Sequence, residues 1–567
     1  MKIAENTSIA FNGETLSSSD FESLGSILEH NITLSNIEPG DIVAIALRRS
    51  YWSIAAMYTL YRLGIPYLLI NCDLPESRIS YMLETVKVKC IMTDQQTDPM
   101  FRDYKTIMVD ELAEGALKIE PFKSDIMYLA FTSGSTGKPK AIAISREAFD
   151  YFADAFLKSG ALDGITTSVC TTDFGFDIIY CETFLPMMAG VNIILANEEE
   201  VANVRKRCAL IKENHVEYMQ CTPSALMIMK MDDEKMSFLD GIKTLILGGE
   251  ALPENLLLML SKVEHIKLMN FYGPTETTVW ASYSDLTGEK TVNIGKPLAN
   301  AAIYILDEDM APVSDGEIGE ICIGGKSLAN GYYNNPEATE KAFVYYNGER
   351  IYKTGDLGHI ENGIIFCHNR KDFQVKIRGH RIELGEIDSH IMNVKGVKRS
   401  VTTTLQSEIG AELICFYIAD DYVDEKQIRL EISQFLPDYM IPSVLVKRQT
   451  FIYTANGKTD CQAMVNEYKE VVQKDHSAKD YFTNSEESIL TEITDFIRGH
   501  NLSACEEINA DTKMKTLNIN SVGYVSLIVY FEDKYDFEFD EDYLNAFAFK
   551  TVGKMADYIC ENLHSDD

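Results

Sequence analysis

Apolar and polar positions follow, over most of the chain, the rhythm of an α/β protein. Up to about residue 370, apolar runs such as DIVAIAL, VNIILAN, TLILGGE and EICIGG predict strands, and SIAAMYTLYRL has the spacing of a helix. Gly or Pro marks nearly every connection between these segments. Because uninterrupted apolar strands are typical of parallel sheets covered on both faces, the pattern predicts an α/β fold with largely parallel strands.

The remainder of the chain divides into shorter segments. The stretch QKDHSAKDYFTNSEES is polar and lacks apolar periodicity, which makes it the best candidate for a linker. After it, Val522, Val525 and Val529 fall on one stripe of a predicted helix, as expected for a small all-helical unit. The predicted parts are a large α/β subdomain at 1–371, a small α/β subdomain at 372–470, a linker at 471–484 and an all-α unit of four helices at 485–563.

Composition and charge argue against several classes of protein. The chain has 567 residues, 46% of them hydrophobic, enough for several cores, and it has no apolar run long enough to span a bilayer. The opening segment MKIAENTSIAFNGETLSSSD lacks the features of a secretory signal, so we expect a cytoplasmic protein with no membrane partner. A net charge of −34 argues against a nucleic-acid partner. The 12 cysteines include no C-x-x-C pair, which argues against a zinc site or a disulfide framework.

The segment YLAFTSGSTGKPKAI joins a predicted strand, Tyr128 to Phe131, to a loop of small and hydroxylated residues. Small residues let backbone N–H groups approach phosphate oxygens, and hydroxyls and a lysine add donors and charge. The spacing is not that of a Walker A loop, since Pro139 stops the helix that this motif would begin. A flexible surface hairpin is the alternative reading. The candidate phosphate-binding residues are Thr132, Ser133, Gly134, Ser135, Thr136, Gly137 and Lys138.

Within this segment, the motif TSGSTGKPK resembles the signature of the adenylate-forming superfamily. It is followed by FYGPTETT, GEIGEICIGG, YKTGDLG, NRKDFQVKIRGHRIELGEI and TANGK, in the order seen in adenylation domains of nonribosomal peptide synthetases. The resemblance extends over nearly the whole chain. It implies activation of a carboxylic acid by ATP, with Mg²⁺ and cationic side chains absorbing charge as pyrophosphate departs.

The resemblance assigns a role to each motif. Tyr272 is implied to stack on adenine, Thr275 to contact the α-phosphate, and Glu276 to ligate Mg²⁺, which prefers oxygen donors. Asp356 matches the residue that holds both ribose hydroxyls. Asn369 stands where the family usually has Gly, and this departure concerns the local turn. The further implied nucleotide contacts are Gly249, Gly273 and Arg370.

A hinge and two lysines complete the implied catalytic set. Asp372 falls at the family's hinge between the large and the small subdomain. Lys458 matches the lysine that bridges the substrate carboxylate and the phosphate during adenylation. Lys376 and Gly379 belong to the opposite face of the small subdomain, which resembles the thioester-forming one. The resemblance thus implies that the small subdomain alternates between two positions.

Asp177 bears on which acid is activated. It aligns with the aspartate that amino-acid-activating members use for the substrate's α-ammonium group; the alternative reading is a helix N-cap. Besides Asp177 and Lys458 the implied pocket is uncharged, so we expect a neutral side chain, such as that of Cys, Ser, Thr or Asn, with Gln220 as a hydrogen-bond partner. The other implied pocket residues are Ile178, Cys181, Ile246, Gly248, Phe271, Val279 and Trp280.

The segment LNINSVGYVSLIVYFEDKYDFEF resembles the phosphopantetheine attachment region of peptidyl carrier domains. It implies a 4′-phosphopantetheine on Ser521, installed by a phosphopantetheinyl transferase, although a serine that opens a helix is also a plain cap. Asn520 and Val522 replace the usual Asp and Leu around this serine. The thiol of the arm would then attack the aminoacyl adenylate and release AMP.

The expected partners and the alternatives follow from this assignment. The chain begins at the adenylation core and ends just after the carrier, so we expect a condensation or tailoring enzyme to act in trans. One alternative is an aryl or short acyl acid ligase that loads its own carrier. Another is an inactive nucleotide-binding scaffold, against which Lys138, Glu276, Asp356 and Lys458 argue together. A D-alanine-activating ligase is a closer rival, but its carrier is usually a separate chain.

Overall fold

The chain folds, in the computed structural model, into two compact units. The first contains 1–201, 206–226 and 236–382, and the second contains 202–205, 227–235 and 383–567. The residues described are 2–94, 99–110, 120–134, 138–372, 374–407, 410–453, 459–476, 486–499, 508–517, 519, 521–535, 537, 539–540, 543 and 548–563.

The first unit contains a nine-stranded sheet whose central strands are parallel, as the apolar runs predict. Neighbouring strands pair Gln220 with Ile246 and Gly248 with Phe271, so four predicted pocket residues meet on adjacent strands. In spatial order the strands are Lys296–Pro297, Ser282–Asp285, Lys267–Tyr272, Thr244–Gly248, Tyr218–Cys221, Thr167–Cys170, Asn192–Leu195, Ser8–Phe11 and Glu14–Ser17.

A seven-stranded sheet in the same unit carries the candidate phosphate loop. The predicted strand is confirmed and runs from Ile126 to Thr132, antiparallel to Lys140–Ser145. The spatial order is Gly331–Tyr332, Lys140–Ser145, Ile126–Thr132, Tyr67–Leu69, Val43–Ala46, Cys90–Thr93 and Lys105–Met108.

A five-stranded antiparallel sheet carries the candidate ribose residues. Its strands Glu349–Glu361 and Ile364–Arg370 place Asp356 opposite Arg370. Asn369 lies inside the second of these strands and is absent from the residues with positive φ, so its position does not require glycine. The remaining strands of this sheet are Ala301–Leu306, Gly319–Gly325 and Phe343–Tyr346.

Helices between the strands cover the sheets and bury an aromatic core that includes Tyr128, Phe149, Tyr180 and Phe184. The α-helices before residue 345 are Ser18–Thr33, Tyr51–Leu63, Glu76–Val86, Arg146–Lys158, Ile179–Glu182, Phe184–Ala189, Glu198–Ala202, Val204–Glu213, Pro223–Asp232, Glu254–Leu260 and Pro336–Ala342, and the 3₁₀ turns are Pro99–Phe101, Ser237–Leu239 and Thr275–Thr277.

The chain then forms a hairpin of Gln374–Ile377 and His380–Glu383, most of which belongs to the first unit. The second unit continues with the small α/β part that the sequence predicts. Its sheet consists of Val397–Ser407, Gly410–Ala419 and Val444–Lys447, with the first pair antiparallel and the second parallel. Its helices are Leu384–Asn393, Glu425–Ile432 and Cys461–His476, with a 3₁₀ turn at Asp438–Met440. The last helix extends into the predicted linker, of which 477–484 lies outside the described residues.

The C-terminal segment has a separate apolar core. The residues described there form three α-helices, Glu486–Gly499, Ser521–Tyr535 and Val552–Leu563, and a 3₁₀ turn at Met514–Leu517; the four-helix arrangement stays a prediction. Of the predicted valine stripe, Val529 is partly buried, and the side chains of Val522 and Val525 lie outside those described. The residues of this helix that pack in the core include Tyr524, Leu527, Ile528 and Phe531. No helix in the described part of the chain is both long and apolar enough to cross a membrane.

Candidate active site

The candidate phosphate loop leaves its strand through two buried residues, Ser133 and Gly134. A Cβ atom on Gly134 would overlap the carbonyl oxygen of Lys138, so the return of the loop requires glycine at this position. Lys138 is exposed, and its Nζ lies 5.8 Å from the centre of the Tyr81 ring. Its charge is therefore accessible to an anion. The predicted residues Ser135, Thr136 and Gly137 lie outside the described part of the loop.

The candidate ribose residue Asp356 is buried and held through both carboxylate oxygens. The Tyr272 hydroxyl donates to Oδ2 at 2.5 Å, and Nη1 of Arg370 donates to Oδ1 at 2.5 Å. Arg370 also donates from Nε and Nη2 to the two oxygens of Asp372, each at 2.7 Å. Burial alone would raise the pKa of Asp372, but these bonds hold that pKa below its ordinary value. The carboxylate of Asp356 is thus fixed in position before any nucleotide binds.

Glu276, the candidate Mg²⁺ ligand, is fully buried and lies in the middle of the 3₁₀ turn Thr275–Thr277. Nη1 of Arg381 donates to both of its carboxylate oxygens at 2.8 Å, and the Tyr332 hydroxyl donates to Oε1 at 2.9 Å. Burial by itself would raise the pKa of Glu276, but the Arg381 guanidinium outweighs it and lowers that pKa. The glutamate is therefore ionised, as a metal ligand must be.

The donors at this position fit a hard cation. Glu276 supplies carboxylate oxygens, and the described part of the chain contains no group of three or more His, Cys, Asp and Glu side chains arranged to hold a metal. Mg²⁺ typically binds through one or two carboxylates together with substrate phosphates. The site thus fits a cation that arrives with a nucleotide.

Asp177 is buried close to two other candidate pocket residues, Cys181 and Val279. The structure excludes the N-cap reading, because the neighbouring helix begins at Ile179, has Ile178 as its N-cap residue and lacks a side-chain capping bond. Burial raises the pKa of Asp177 to about 6, against hydrogen bonds from the Thr275 side chain and the Val279 backbone. No described residue gives its Oδ2 atom a hydrogen bond. One oxygen of this buried carboxylate is therefore able to accept a further hydrogen bond.

The wall of the pocket is apolar and closely packed. A Cβ atom on Gly248 would lie 2.7 Å from Cη2 of Trp280 and 2.8 Å from the carbonyl oxygen of Phe271. Gln220 is 2% exposed, and neither its amide oxygen nor its amide nitrogen has a hydrogen-bond partner among the described residues. The other predicted pocket residues include Ile178, Cys181, Ile246 and Val279, of which all but Ile178 are buried.

A short backbone segment links this pocket to the Glu276 turn. Thr278 and Val279 have φ of 59° and 63°, a left-handed conformation that is rare for β-branched residues. Gly273 contributes to the same fold, since a Cβ atom there would lie 2.6 Å from both the Val279 oxygen and the Trp280 Cα. The strained segment presents the Val279 backbone to Asp177. It therefore couples the candidate metal ligand to the candidate ammonium ligand.

The hairpin that carries Lys376 and Gly379 packs on the site. Lys376 Nζ lies 5.4 Å from the centre of the Tyr272 ring, and a Cβ atom on Gly379 would lie 2.8 Å from Cγ2 of Thr222. The Ser133 hydroxyl donates to the carbonyl oxygen of Arg381 at 2.7 Å. The residue predicted for the opposite face, Lys458, lies outside the described residues.

The predicted residues thus fall into two groups. The described nucleotide, metal and pocket residues converge in the first unit, with Gly249 beside the hairpin at 3.7 Å from Gly379 Cα, measured from the Cβ position. Ser521 begins a helix of the C-terminal segment, and its side chain is not among those described. Sequence reasoning missed Arg381 and Tyr332, although Arg381 lies within the quoted segment NRKDFQVKIRGHRIELGEI.

The fold and this collection of residues define an adenylate-forming ligase. The chain belongs to the AMP-binding enzyme family, which matches residues 5–333. It is 34% identical over 449 residues to the dimodular nonribosomal peptide synthase of Bacillus subtilis (strain 168), an alignment that covers 76% of this chain and 19% of the relative. The chain spans less than a fifth of the length of the first curated relatives it matches.

Solved structures share the fold. One is a nonribosomal peptide synthetase protein containing adenylation and PCP domains, bound to a vinylsulfonamide inhibitor; it superposes with a TM-score of 0.79 at 20% identity and covers 97% of this chain and 93% of its own. Another is the Vibrio cholerae adenylation domain AlmE in complex with glycyl-adenosine-5′-phosphate. It superposes with a TM-score of 0.72 at 21% identity, and the match covers 82% of this chain and 95% of AlmE. At these identities the likeness establishes the adenylate-forming α/β fold.

Proposed function

We propose that the chain activates an α-amino acid with ATP, forming aminoacyl-AMP and pyrophosphate, and transfers the aminoacyl group to a phosphopantetheine thiol on Ser521. The observation that carries the first half is the Oδ2 atom of Asp177, which is buried and has no hydrogen-bond partner among the described residues. Desolvation of a carboxylate costs several kcal/mol per ion unless a cation offsets it, as in a buried ion pair. The α-ammonium group of an amino acid is such a cation, whereas aryl and short acyl acids offer none.

The walls of the pocket support a small, neutral side chain on the substrate. Trp280 and Phe271 leave no room for a Cβ atom on Gly248, and the pocket has no described charge besides Asp177 to pair with an ionised substrate side chain. Gln220 can offer both a donor and an acceptor to a hydroxyl, a thiol or an amide. Cys, Ser, Thr and Asn fit these properties. Glycine joins them because the AlmE neighbour holds glycyl-adenosine-5′-phosphate.

The described residues divide the adenylation chemistry among them. Asp356, fixed by Tyr272 and Arg370, would accept hydrogen bonds from the ribose hydroxyls. Ser133 and the neighbouring backbone would cradle the phosphates, with Lys138 supplying charge. Thr275 would contact the α-phosphate, and Glu276 would hold Mg²⁺, which neutralises the phosphates while pyrophosphate departs. In this scheme Lys458 orients the substrate carboxylate toward the α-phosphorus.

The second half-reaction follows from the C-terminal segment. A helix that begins at Ser521 and a separate apolar core are what a carrier domain requires. The thiolate of the arm would attack the carbonyl carbon of the aminoacyl adenylate, a thioester bond would form, and AMP would leave. Loading of Ser521 by a phosphopantetheinyl transferase and a downstream condensation or tailoring enzyme are part of the proposal.

ATP–pyrophosphate exchange is the experiment that tests the first half. Purified protein, Mg²⁺ and a panel of glycine, Cys, Ser, Thr, Asn and the other amino acids are compared with aryl and short acyl acids. Strong exchange with one small neutral amino acid supports the proposal and names the substrate. Exchange with only an aryl or acyl acid would overturn the role given to Asp177, and silence throughout would favour an inactive scaffold.

A further inference from the structure

The pairing of Glu276 with Arg381 brings two charges together where the mechanism requires a metal. The Glu276 side chain is 0% exposed, whereas that of Arg381 is 20% exposed, so the guanidinium reaches the enclosed carboxylate from the open side. A single nitrogen, Nη1, donates to both oxygens. Both oxygens of the candidate metal ligand are therefore occupied by a cation that belongs to the protein.

The geometry of Arg381 differs from that of a permanent ion pair in the same unit. Arg370 donates from Nε, Nη1 and Nη2 to Asp356, Asp372 and the carbonyl oxygen of Thr354. In Arg381, by contrast, Nε has no hydrogen-bond partner among the described residues. A buried ion pair is favourable only when its remaining donors are satisfied. Arg381 also hydrogen-bonds the Tyr352 side chain, but its Nε leaves it less completely satisfied than Arg370.

We propose that Arg381 and a divalent cation are alternative, mutually exclusive counter-ions of Glu276. This inference rests on the proposed adenylation function, since it takes Glu276 as the metal ligand. Two cations sharing one carboxylate repel each other at a distance of a few ångströms in a poorly solvated site. The metal can therefore bind only after the guanidinium withdraws, and the guanidinium can return only after the metal leaves.

The backbone around Arg381 is connected to the candidate phosphate loop. Arg381 belongs to the hairpin strand His380–Glu383, next to a turn in which Arg378 and Gly379 have φ of 51° and 79°. The Ser133 hydroxyl binds the Arg381 carbonyl oxygen and so fastens the hairpin to the candidate phosphate loop. Lys376 lies on the other strand of the same hairpin. Loss of the metal would then allow the Arg381 guanidinium to pair with Glu276 again.

Binding of Mn²⁺ together with α,β-methylene-ATP tests the competition without turnover. The dissociation constant of this complex is measured by electron paramagnetic resonance for the full-length wild type, Arg381→Gln, and the double variant Arg381→Gln with Glu276→Gln. We expect Arg381→Gln to bind the complex about tenfold more tightly, the equivalent of about 1.4 kcal/mol. The double variant should lose this gain, because the carboxylate that receives the metal is absent.

Two further variants make the outcome decisive. Arg381→Lys, which keeps a charge with fewer donors, should bind the complex with intermediate affinity and serves if Arg381→Gln fails to fold. Arg62→Gln is the matched control, since Arg62 pairs with Glu22 and Glu29 at the surface, and its affinity should equal that of the wild type. Equal or weaker binding by both Arg381 variants would overturn the proposal. Pyrophosphate exchange by the wild type separates this failure from failure of the proposed function.

Discussion

The Tyr272 hydroxyl donates a 2.5 Å hydrogen bond to Asp356, although 84 residues separate the two. Both side chains are buried, at 8% and 5% exposure, and Arg370 holds the other oxygen of the carboxylate. The tyrosine predicted to stack on adenine thus also positions the carboxylate predicted to bind ribose. One hydrogen-bonded cluster would therefore contact both the adenine and the ribose of the nucleotide.

Asp356→Asn should weaken ATP binding by about 10- to 100-fold, the effect of losing hydrogen bonds to a charged group. Arg370 keeps Asp372 as a partner, so the local structure should persist. Isothermal titration calorimetry with ATP measures the change. Tyr272→Phe removes only the hydrogen bond that supports Asp356. Its fold-loss of ATP affinity should therefore be less than a tenth of the loss in Asp356→Asn. A larger loss in Tyr272→Phe than in Asp356→Asn would contradict the assigned roles.

Asp177→Asn should abolish amino-acid-dependent pyrophosphate exchange, because the amide cannot offset the charge of the substrate's ammonium group. Binding of ATP should change less than threefold, as Asp177 is proposed to contact only the amino acid. Exchange kinetics and ATP titration together check this. Retained exchange with an unchanged KM for the amino acid would show that the ammonium group binds elsewhere.

The pH dependence of the unliganded protein should report the same carboxylate. The pKa of Asp177 is about 6 in the folded protein, against about 3.9 in an unfolded chain, so the native state binds the proton more tightly. Its contribution to stability is therefore fully present below about pH 4 and is lost as the pH rises to about 6, by about 3 kcal/mol at most. Asp177→Asn should match the wild type in chemical denaturation at pH 4 and exceed it at pH 7. A constant difference across this range would contradict the burial argument.

The same titration should appear in catalysis. Below about pH 6 the protonated Asp177 loses the charge that binds the ammonium group, so KM for the amino acid should rise about tenfold per pH unit. The kcat at saturating amino acid should change less. Steady-state exchange between pH 5 and pH 8 measures both parameters.

Two residues outside the described side chains separate the half-reactions. Lys458→Ala should reduce adenylate formation by at least about 100-fold, since it removes electrostatic stabilisation of the transition state. Ser521→Ala should leave exchange intact and abolish covalent loading, which intact-protein mass spectrometry detects. Equal losses of exchange in the two variants would contradict the assignment.

Gly273→Ala should destabilise the first unit by about 1–3 kcal/mol, as overpacking does. The added Cβ atom would lie 2.6 Å from two atoms of the strained Val279–Trp280 segment. Gly385→Ala is the matched control, because its Cβ atom meets nothing within 4 Å and it lies in the helix Leu384–Asn393, where alanine is favoured by up to about 1 kcal/mol. In thermal unfolding, the midpoint temperature of Gly385→Ala should equal or exceed that of the wild type, and the midpoint temperature of Gly273→Ala should be lower.

Motifs in the sequence predicted the residues of the candidate site but not the contacts between them. Roles could be predicted for Tyr272, Asp356 and Asp177 because each residue lies at a fixed position within a recognisable sequence motif. The Glu276–Arg381 pair could not, since 105 residues separate its members and charge alone does not choose among many possible partners. Such contacts depend on the three-dimensional arrangement of the hairpin, which local spacing does not encode.

The helix that begins at Ser521 shows a second limit of pattern analysis. In SVGYVSLIVYF apolar residues occur on every face, so periodicity does not identify the one that is buried. The core includes Ile489 and Ile493 of another helix, and these pack with Tyr524, Leu527 and Phe531. The face that is buried therefore depends on the neighbouring helix. The periodicity of a single segment contains no information about that helix.

Gly248 and Trp280 restrict how the substrate range of this enzyme can change during evolution. The indole ring lies where a side chain at position 248 would begin, so any larger residue there is blocked while the tryptophan remains. Replacement of Trp280 alone would not open this position, because the backbone carbonyl oxygen of Phe271 would still lie 2.8 Å from a Cβ atom there. A new substrate range would therefore have to arise at other positions of the proposed pocket, while position 248 stays glycine.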